Sequence, residues 1–472
     1  MVVGMTALLP TASSRPVSPP PPRPVRSRTP LAGDTILLTV GFSVVVVVSL
    51  WLAAGGLQAL LAGPGPGLTS AGRITGLVAS DLLLVQVLAM ARVPWVEQAF
   101  GQDRLARWHR LLGFTSFSLM LAHVVLITLG YAVNAHVGVL AELWSMVWTY
   151  PGMLLATAGT AALVMVVVTS VRAARRRLRY ESWHLLHLYA YLGVGLALPH
   201  QIWTGTDFVS SPAARAYWWT LYAAALGAVL VYRLGLPLAR TLRHQVVVSR
   251  VVEEAPGVVS LHLRGRQLHR LPAKAGQFFV WRFLDGPGWS RGHPYSLSAP
   301  PHPRMLRITV KDLGDGSRRL ADVRPGTRVL LEGPYGALTT DKRTRTRTTL
   351  LASGIGITPL RALLEELPPG ATLVYRARHE SDLVLRAEID ALAAARGDRV
   401  AYLLGPRAHD GSWLPASWGH VGEAGALLHL VPDIRSQDVF VCGPEAWTDA
   451  ALAALAAAGV PDTQVHVERF TY

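Results

Sequence analysis

The chain has 472 residues, of which 51% are hydrophobic, and its formal net charge is +15. The apolar residues are concentrated in the first half, which predicts a membrane domain followed by a soluble part. Cys442 is the only cysteine, and this excludes an internal disulfide, a cysteine-ligated iron–sulfur cluster and covalent haem attachment through a CxxCH motif.

Residues 1–33 form a proline- and arginine-rich tail that is predicted to be disordered and not to be a cleaved signal peptide. Residues 34–240 are predicted to form a six-helix transmembrane bundle, because they contain six apolar stretches of about 20 residues, the length that crosses a bilayer. The six predicted spans run approximately from Thr35 to Leu61, Ile74 to Val93, Leu111 to Val133, Val147 to Val171, Trp183 to Ile202 and Tyr217 to Leu236.

The distribution of arginines predicts how these spans are oriented. Arginines cluster in the tail, in the second and fourth connections and after the last span, whereas the other three connections contain at most one each. By the positive-inside rule, both termini and the soluble half face the cytoplasm. The positive charge is then explained by insertion into the lipid bilayer of the cell membrane, and no nucleic-acid partner is expected.

Four histidines lie in or beside the third and fifth spans. His109 and His123 are separated by fourteen positions, and His187 and His200 by thirteen, which corresponds to roughly 20 Å along each helix. Placing a histidine side chain in the lipid bilayer costs free energy unless a ligand or hydrogen-bond partner binds its ring. Two parallel helices with imidazoles at two depths predict two stacked haems, one held by the inner pair (His109, His187) and one by the outer pair (His123, His200).

Three alternatives remain open for these histidines. Thirteen positions do not return to the same face of a helix, so His200 needs a change in helix geometry that Pro199 could introduce. His184 is a rival to His187 as the inner ligand, although depth favours His187. The histidines could also be structural, or they could hold another metal.

Residues 241–345 change to short alternating strands separated by glycine and proline turns, which predicts an antiparallel barrel. Within it, His293-Pro294-Tyr295-Ser296 places an aromatic ring beside a hydroxyl at a strand end. Tyr295 can stack on a flat redox ring, and Ser296 can bond a ring nitrogen. Gly316 and Ser317 could donate to a pyrophosphate.

Residues 346–472 alternate strands with helices, which predicts a parallel sheet with helices on both faces. A buried strand leads into Gly354-Ile355-Gly356-Ile357-Thr358-Pro359, a turn at which nucleotide phosphates can approach the backbone and a helix N-terminus. Arg376 and Arg378 follow the second strand, where an arginine can contact a 2′-phosphate; this favours NADPH over NADH. Cys442-Gly443-Pro444 follows a later strand.

Together these parts resemble the membrane ferric reductases and NADPH oxidases, which are six-helix dihaem proteins fused to a flavin reductase module. The resemblance covers about residues 35–472. The histidine pairs match the family pattern, and His293-Pro294-Tyr295-Ser296 looks like its HPF-T/S flavin motif. The glycine-rich turn at 354–359 and Cys442-Gly443-Pro444 resemble its pyridine-nucleotide motifs, and Glu468-Arg469-Phe470 resembles the C-terminal motif whose aromatic residue covers the flavin.

The resemblance implies FAD, NADPH (or NADH) and two b-type haems as cofactors. It places Ser296, Cys442 and Phe470 beside the reacting rings, Cys442 in a positioning role. The implied function is transfer of electrons from cytosolic NAD(P)H to a small acceptor outside the cell, most simply ferric iron or its chelate. Reduction of oxygen to superoxide, or transfer to a protein or quinone partner, are the alternatives, and a homo-oligomer is compatible with each.

Overall fold

A computed structural model of the chain describes residues 32–469 except 176, 179, 287, 288 and 290. Most of the predicted tail and Phe470 lie outside the described residues, so the role of Phe470 stays a prediction. The membrane domain begins with helix α1 at Ala32. Its main helices are α1 (Ala32–Ala53), α2 (Pro64–Met90), α3 (Gln102–Ala135), α4 (Val139–Thr149), α5 (Met153–Ser170), α6 (Tyr180–Trp203) and α7 (Pro212–Ala228).

Helices α1, α2, α3, α5, α6 and α7 overlap the six predicted spans. Helix α7 continues through a π-helical segment, Val229–Gly235, into α8 (Leu236–His244). Among the described residues, four stretches are long and apolar enough to cross a membrane, and the count of six spans stays a prediction. These four are Pro64–Met90, Arg104–Ala135, Met153–Ser170 and Pro212–His244.

The helices pack as two pairs, α2 along α3 and α5 along α6, and both α1 and α7 lie against α2. Small residues allow the second pair to approach closely, as in many membrane bundles. A Cβ on Gly159 of α5 would lie only 2.7 Å from the carbonyl oxygen of Gly193 on α6. The two pairs therefore leave space between them and not within them.

Helix α4 corrects the prediction that the fourth span begins at Val147. It is a separate helix that ends at Thr149, and the next helix begins only at Met153. The intervening Pro151 lacks a backbone N–H, and Gly152 has a φ of 80°, so the chain turns there. The turn makes α4 a separate element that packs against α3 and α5.

Residues 241–345, which are predicted to bind the flavin and are called the flavin domain below, contain six strands. They are β1 (Val247–Ala255), β2 (Val258–Arg264), β3 (Phe278–Phe283), β4 (His293–Ser296), β5 (Met305–Lys311) and β6 (Val329–Tyr335). These strands form two three-stranded antiparallel sheets, with orders β1-β2-β5 and β4-β3-β6. Single bridges join the sheets at Val247 with Arg328 and at Leu297 with Ile308; the antiparallel barrel stays a prediction. Strand β4 tolerates Pro294 because it lies at the edge of its sheet.

Residues 346–472 are predicted to bind the nucleotide and are called the nucleotide domain below. The strands described in it are β7 (Thr348–Ser353), β8 (Thr372–Ala377), β9 (Arg399–Leu404), β10 (Asp438–Gly443) and β11 (Val465–Arg469). They form the predicted parallel sheet, in the order β11-β10-β7-β8-β9. The chain moves outwards from β7 in both directions, so the strand order reverses between β7 and β10, where ligands of such sheets bind. The main helices are α9 (Ile357–Glu366), α10 (Arg386–Arg396), α11 (Glu423–Leu430) and α12 (Glu445–Ala457).

Candidate functional site

A continuous cavity of about 2400 Å³ runs from the membrane domain into the flavin domain. This volume is more than twice the upper end of the roughly 300–1,000 Å³ that a single small ligand occupies. The inner and outer histidine pairs, His184 and the flavin motif residues His293, Pro294 and Tyr295 all line it. The structure therefore brings the predicted haem ligands and part of the predicted flavin site to the same cavity.

The inner pair has the spacing of two ligands on opposite sides of one metal. The ring centroids of His109 and His187 lie 5.8 Å apart, and the ring planes differ by 69°. Imidazole nitrogens bind transition metals at about 2 Å, so two rings flanking one metal have centroids about 6 Å apart. Two histidines leave the other coordination positions to a macrocycle, which fits haem. Haem ligation by these residues stays a prediction.

Ser170 at the end of α5 holds the ring of His187. Its Oγ lies 3.2 Å from Nδ1 of His187 and accepts a hydrogen bond from Nε1 of Trp183 at 3.3 Å. A hydroxyl oxygen has two lone pairs, so it can accept from both rings. When Nδ1 of His187 donates to Ser170, Nε2 keeps its lone pair for a metal. His187, and not its rival His184, forms the ring contact with His109.

The outer pair has one ring that is held in the same way. Nδ1 of His123 lies 2.7 Å from the carbonyl oxygen of Gly72. Because a carbonyl only accepts, Nδ1 carries the hydrogen and Nε2 is left as the ligand atom. A Cβ on Gly76 would collide with the same ring, so glycine is needed there.

His200 reaches the cavity although thirteen positions separate it from His187. Pro199 lies inside α6, which continues to Trp203. The Nδ1 atoms of His109 and His200 are buried, and neither has a hydrogen-bond partner of normal geometry among the described residues. Each pair thus combines one ring fixed through Nδ1 with one ring that has no such support.

An ionic cluster that the sequence did not predict joins the flavin domain to the last membrane helix. The Glu332 carboxylate lies 3.4 Å from Nη1 of Arg233 and 3.2 Å from Nη1 of Arg282. The hydroxyl of Tyr335 donates to Glu332 at 2.9 Å, and the Arg92 guanidinium lies 4.2 Å from the centre of the Tyr335 ring. Burial alone would raise the pKa of Glu332, but the two arginines and Tyr335 hold it below its ordinary value.

The predicted flavin motif presents two nearly parallel rings. His293 and Tyr295 have ring centroids 6.0 Å apart and planes that differ by 15°. The indole of Trp281 donates to the carbonyl oxygen of Tyr295 at 3.0 Å and fixes the strand. Ser296 is buried and does not line the cavity, but its Oγ has no hydrogen-bond partner among the described residues. The predicted bond from this hydroxyl to a flavin ring nitrogen stays a prediction.

Gly316 and Ser317 differ in what they can offer to a pyrophosphate. Gly316 lines the cavity, and a Cβ there would lie 2.5 Å from the ring of His293. The N–H and hydroxyl of Ser317 both donate to the carbonyl oxygen of Gly314, at 3.0 and 2.9 Å. Ser317 therefore stabilises its own turn, and the predicted donation to a pyrophosphate requires those bonds to be exchanged.

The predicted nucleotide turn and Cys442 meet where the strand order reverses. A Cβ on Gly356 would collide with the carbonyl oxygen of Cys442, and one on Gly443 would lie 2.6 Å from the Trp447 ring. Burial, with a contribution from Glu468, raises the pKa of the Cys442 thiol well above its ordinary value. The thiol therefore stays protonated, as a positioning role requires.

Thr358 and Pro359 are buried beneath the glycine-rich turn. Thr358 Oγ1 donates to the carbonyl oxygen of Ile355 at 3.0 Å. Gly354, by contrast, has a φ of 53°, and a Cβ there would meet no atom within 4 Å. Thr358 and Pro359 therefore shape the turn, and Gly354 provides the open backbone that a nucleotide could approach.

Arg376, one of the two arginines predicted to contact a 2′-phosphate, is engaged by the protein itself. Its guanidinium is buried and donates to the carbonyl oxygens of Gly405 at 2.6 Å, Leu403 at 3.3 Å and Ala377. These bonds satisfy the ends of β8 and β9. Arg378, two residues later, is exposed. Arg378 is therefore the more accessible of the two arginines, and the phosphate contact stays a prediction for both.

Two family models match the chain. "Ferric reductase like transmembrane component" matches residues 75–198, and "Oxidoreductase NAD-binding domain" matches residues 350–452. The protein is thus an oxidoreductase with a membrane domain. It belongs to the family in which a ferric-reductase-like transmembrane domain is fused to an FAD/NAD-binding module of the ferredoxin-reductase type. This confirms the resemblance predicted from the sequence.

Relatives of the soluble module include two reductases. Ferredoxin–NADP reductase B of Sorangium cellulosum is 31% identical over 42% of this chain and 85% of its own length. The ferredoxin reductase component of a 3-ketosteroid-9-alpha-monooxygenase of Mycolicibacterium smegmatis is 33% identical over 48% of this chain, which spans only 65% of that relative. These similarities support NAD(P)H and FAD as cofactors.

A solved structure with a similar fold is the FAD/NAD-binding domain of a nitric oxide dioxygenase from Vibrio cholerae. It is 25% identical, with a TM-score of 0.41, over 48% of this chain and 98% of that chain.

Proposed function

We propose that this protein carries electrons from NAD(P)H on the cytoplasmic side of the cell membrane to an acceptor on the outer face, with FAD and two b-type haems as carriers. The observation that supports this most strongly is the cavity shared by both histidine pairs, His293 and Tyr295. Separate pockets for flavin and haem would leave a protein wall between the carriers, whereas a shared cavity lets them lie edge to edge.

The described residues suit these carriers in different ways. The inner and outer pairs would each hold a haem, Tyr295 and His293 would line the flavin, and the turn at Gly354 and Gly356 would receive the nucleotide. When bound, the flavin converts two-electron hydride chemistry into the single electrons that a haem accepts. The protein supplies fixed ring tautomers through Ser170 and Gly72, and the Glu332 cluster that joins the flavin domain to the last membrane helix.

The proposal also covers the nucleotide, the orientation in the membrane and the acceptor. NADPH is preferred over NADH because exposed Arg378 can pair with a 2′-phosphate. The cytoplasmic position of both termini rests on the arginine distribution. Ferric iron as the acceptor rests on the resemblance to ferric reductases alone, and oxygen or a quinone would equally accept single electrons.

The proposal is tested by a reduced-minus-oxidised spectrum of the purified membrane protein, with haem and flavin quantified. His187→Ala should remove one haem and stop reduction of external acceptors, while NAD(P)H still bleaches the flavin. His184→Ala is the matched control and should keep both haems. Retention of two haems by His187→Ala would transfer the ligand role to another residue, and wild-type protein without any haem would end the proposal.

A further inference from the structure

The cavity extends beyond the outer pair, and the side chains that line this end carry no net charge, while the buried Glu142 of α4 lies near Tyr150. The charged side chains that line it are Arg73 and Asp207. Nε and Nη2 of Arg73 donate to the two carboxylate oxygens of Asp207 at 2.6 and 2.5 Å, so the two charges neutralise each other. The other lining residues at this level include Tyr131, Leu143, Met146, Val147, Tyr150 and Met153.

The whole outer side of the protein is almost free of charge. The three connections that are predicted to face outwards, residues 54–73, 134–152 and 203–216, contain two arginines and two acids in all. Among the described residues, no group of three or more histidine, cysteine or acidic side chains could hold a metal ion. A ferric chelate such as citrate is anionic and is attracted by a basic surface. The four charged residues are Arg73, Glu142, Asp207 and Arg215.

Helix α4 separates this end of the cavity from the lipid. Leu143 and Met146 line the cavity, whereas Leu140, Trp144 and Trp148 are 81%, 69% and 59% exposed. The two tryptophan rings lie 5.5 Å apart. Exposed tryptophans on a short amphipathic helix are typical of the membrane–water interface. Helix α4 therefore fits a position in the outer leaflet, with one face towards lipid and the other towards the cavity.

We propose that the acceptor is a lipid-soluble quinone that enters beside α4; the inference rests on the proposed function. A quinone is neutral, as the cavity end requires, and it partitions into the leaflet in which α4 lies. The rings of Tyr131 and Tyr150 lie 5.9 Å apart, edge to face, and their hydroxyls can donate to quinone carbonyls. Met146 and Met153 can adapt to a ring of variable substitution.

The reaction balances without a further reactant. NAD(P)H gives up two electrons and releases one proton on the cytoplasmic side as NAD(P)⁺ forms. The quinone gains these two electrons, which arrive one at a time at the outer pair, and two protons from water at the outer face. Both carbonyl oxygens become hydroxyls, and the quinol returns to the lipid.

The test uses the full chain with haem and flavin bound, in sealed proteoliposomes supplied with NADPH on the nucleotide-domain side. Decylubiquinone in the lipid, ferric citrate in the lumen and oxygen are compared as acceptors. Reduction that persists in His187→Ala measures direct transfer from flavin and is subtracted. We expect decylubiquinone to be reduced at least tenfold faster than ferric citrate, with little superoxide-dismutase-sensitive signal.

Two leucine-to-tryptophan substitutions on α4 test where the quinone binds. Leu143→Trp fills the cavity end and should slow quinone reduction at least tenfold without slowing haem reduction by NADPH. Leu140→Trp adds the same bulk on the lipid side and should have no effect. Faster reduction of ferric citrate or oxygen than of quinone, or equal effects of the two variants, would overturn the inference. Haems that NADPH fails to reduce would overturn the proposed function instead.

Discussion

Replacing Ser170 with alanine should loosen the inner haem selectively. The change removes two hydrogen bonds that the Ser170 hydroxyl oxygen accepts, one from Nδ1 of His187 and one from Nε1 of Trp183. Each such bond contributes about 0.5–1.5 kcal/mol net, so roughly 1–3 kcal/mol is lost. Since 1.4 kcal/mol corresponds to tenfold, haem affinity should fall about five- to 150-fold. This agrees with the roughly 10–100-fold effect of removing an outer-shell partner from a metal-bound histidine.

The assay is transfer of haem from the purified protein to an excess of apomyoglobin, followed in the Soret band. One of the two haems should leave faster in Ser170→Ala, and its midpoint potential should shift, while the second haem is unchanged. Ser170→Thr keeps the hydroxyl and should restore the wild-type rate. Thr169→Ala is the matched control, because Thr169 Oγ1 donates to Met165 of its own helix. Equal haem retention in Ser170→Ala and Thr169→Ala would refute the reasoning.

Three further predictions concern the ionic cluster around Glu332 and the nucleotide site. Glu332→Gln keeps the bond from Tyr335 but loses the charge that pairs with the two arginines. Stopped-flow measurements should show haem reduction slowed about tenfold, or ~1.4 kcal/mol, with flavin reduction by NADPH unchanged. The exposed Glu253→Gln is the control, and equal behaviour of the two variants would contradict the role of Glu332 in joining the two domains. The pKa of Glu332 is lower in the folded protein than its ordinary value of 4.5. Its contribution to the stability of the folded protein is therefore complete above pH 4.5 and is lost only as the pH falls through the lower folded pKa. Disappearance above about pH 5 of the difference in haem reduction rate between wild type and Glu332→Gln would contradict this. Arg378→Ala should raise KM for NADPH about tenfold and leave KM for NADH unchanged, whereas Arg376→Ala should lower Tm. If both variants lowered Tm and neither changed KM for NADPH, the preference for NADPH would be contradicted.

The parts of the fold that could be predicted depend on local sequence patterns. The paired histidines of each helix and the glycine-rich turn are visible because each lies within one continuous segment, the two histidines of one helix about four helical turns apart. Helix α4 was missed because its eleven residues are as apolar as the span that follows, and only Pro151 and Gly152 mark the break. The segment that forms β4 could be predicted only as a strand end, because Pro294 argues against a strand interior unless the edge position is known.

The site residues that sequence reasoning missed depend on contacts between distant positions. Glu332 and Arg233 are 99 positions apart, and nothing near either residue indicates the other. The bonds of Arg376 could not be predicted because an arginine after a strand can bind a phosphate or satisfy strand-end carbonyls, and the sequence does not show its burial. Ser170 could have been suspected from its depth, which matches that of His187.

The π-helical segment Val229–Gly235 has a mechanical consequence for the whole enzyme. It carries Arg233, and its wider turns shift every later residue relative to a regular α-helix. Deleting one residue here would rotate α8, and the chain attached to it, by about 100° around the helix axis. The segment thus sets the rotation of the reductase domains about this helix axis relative to the bundle. The insertion or deletion of a single residue there would change which face of the flavin domain meets the bundle.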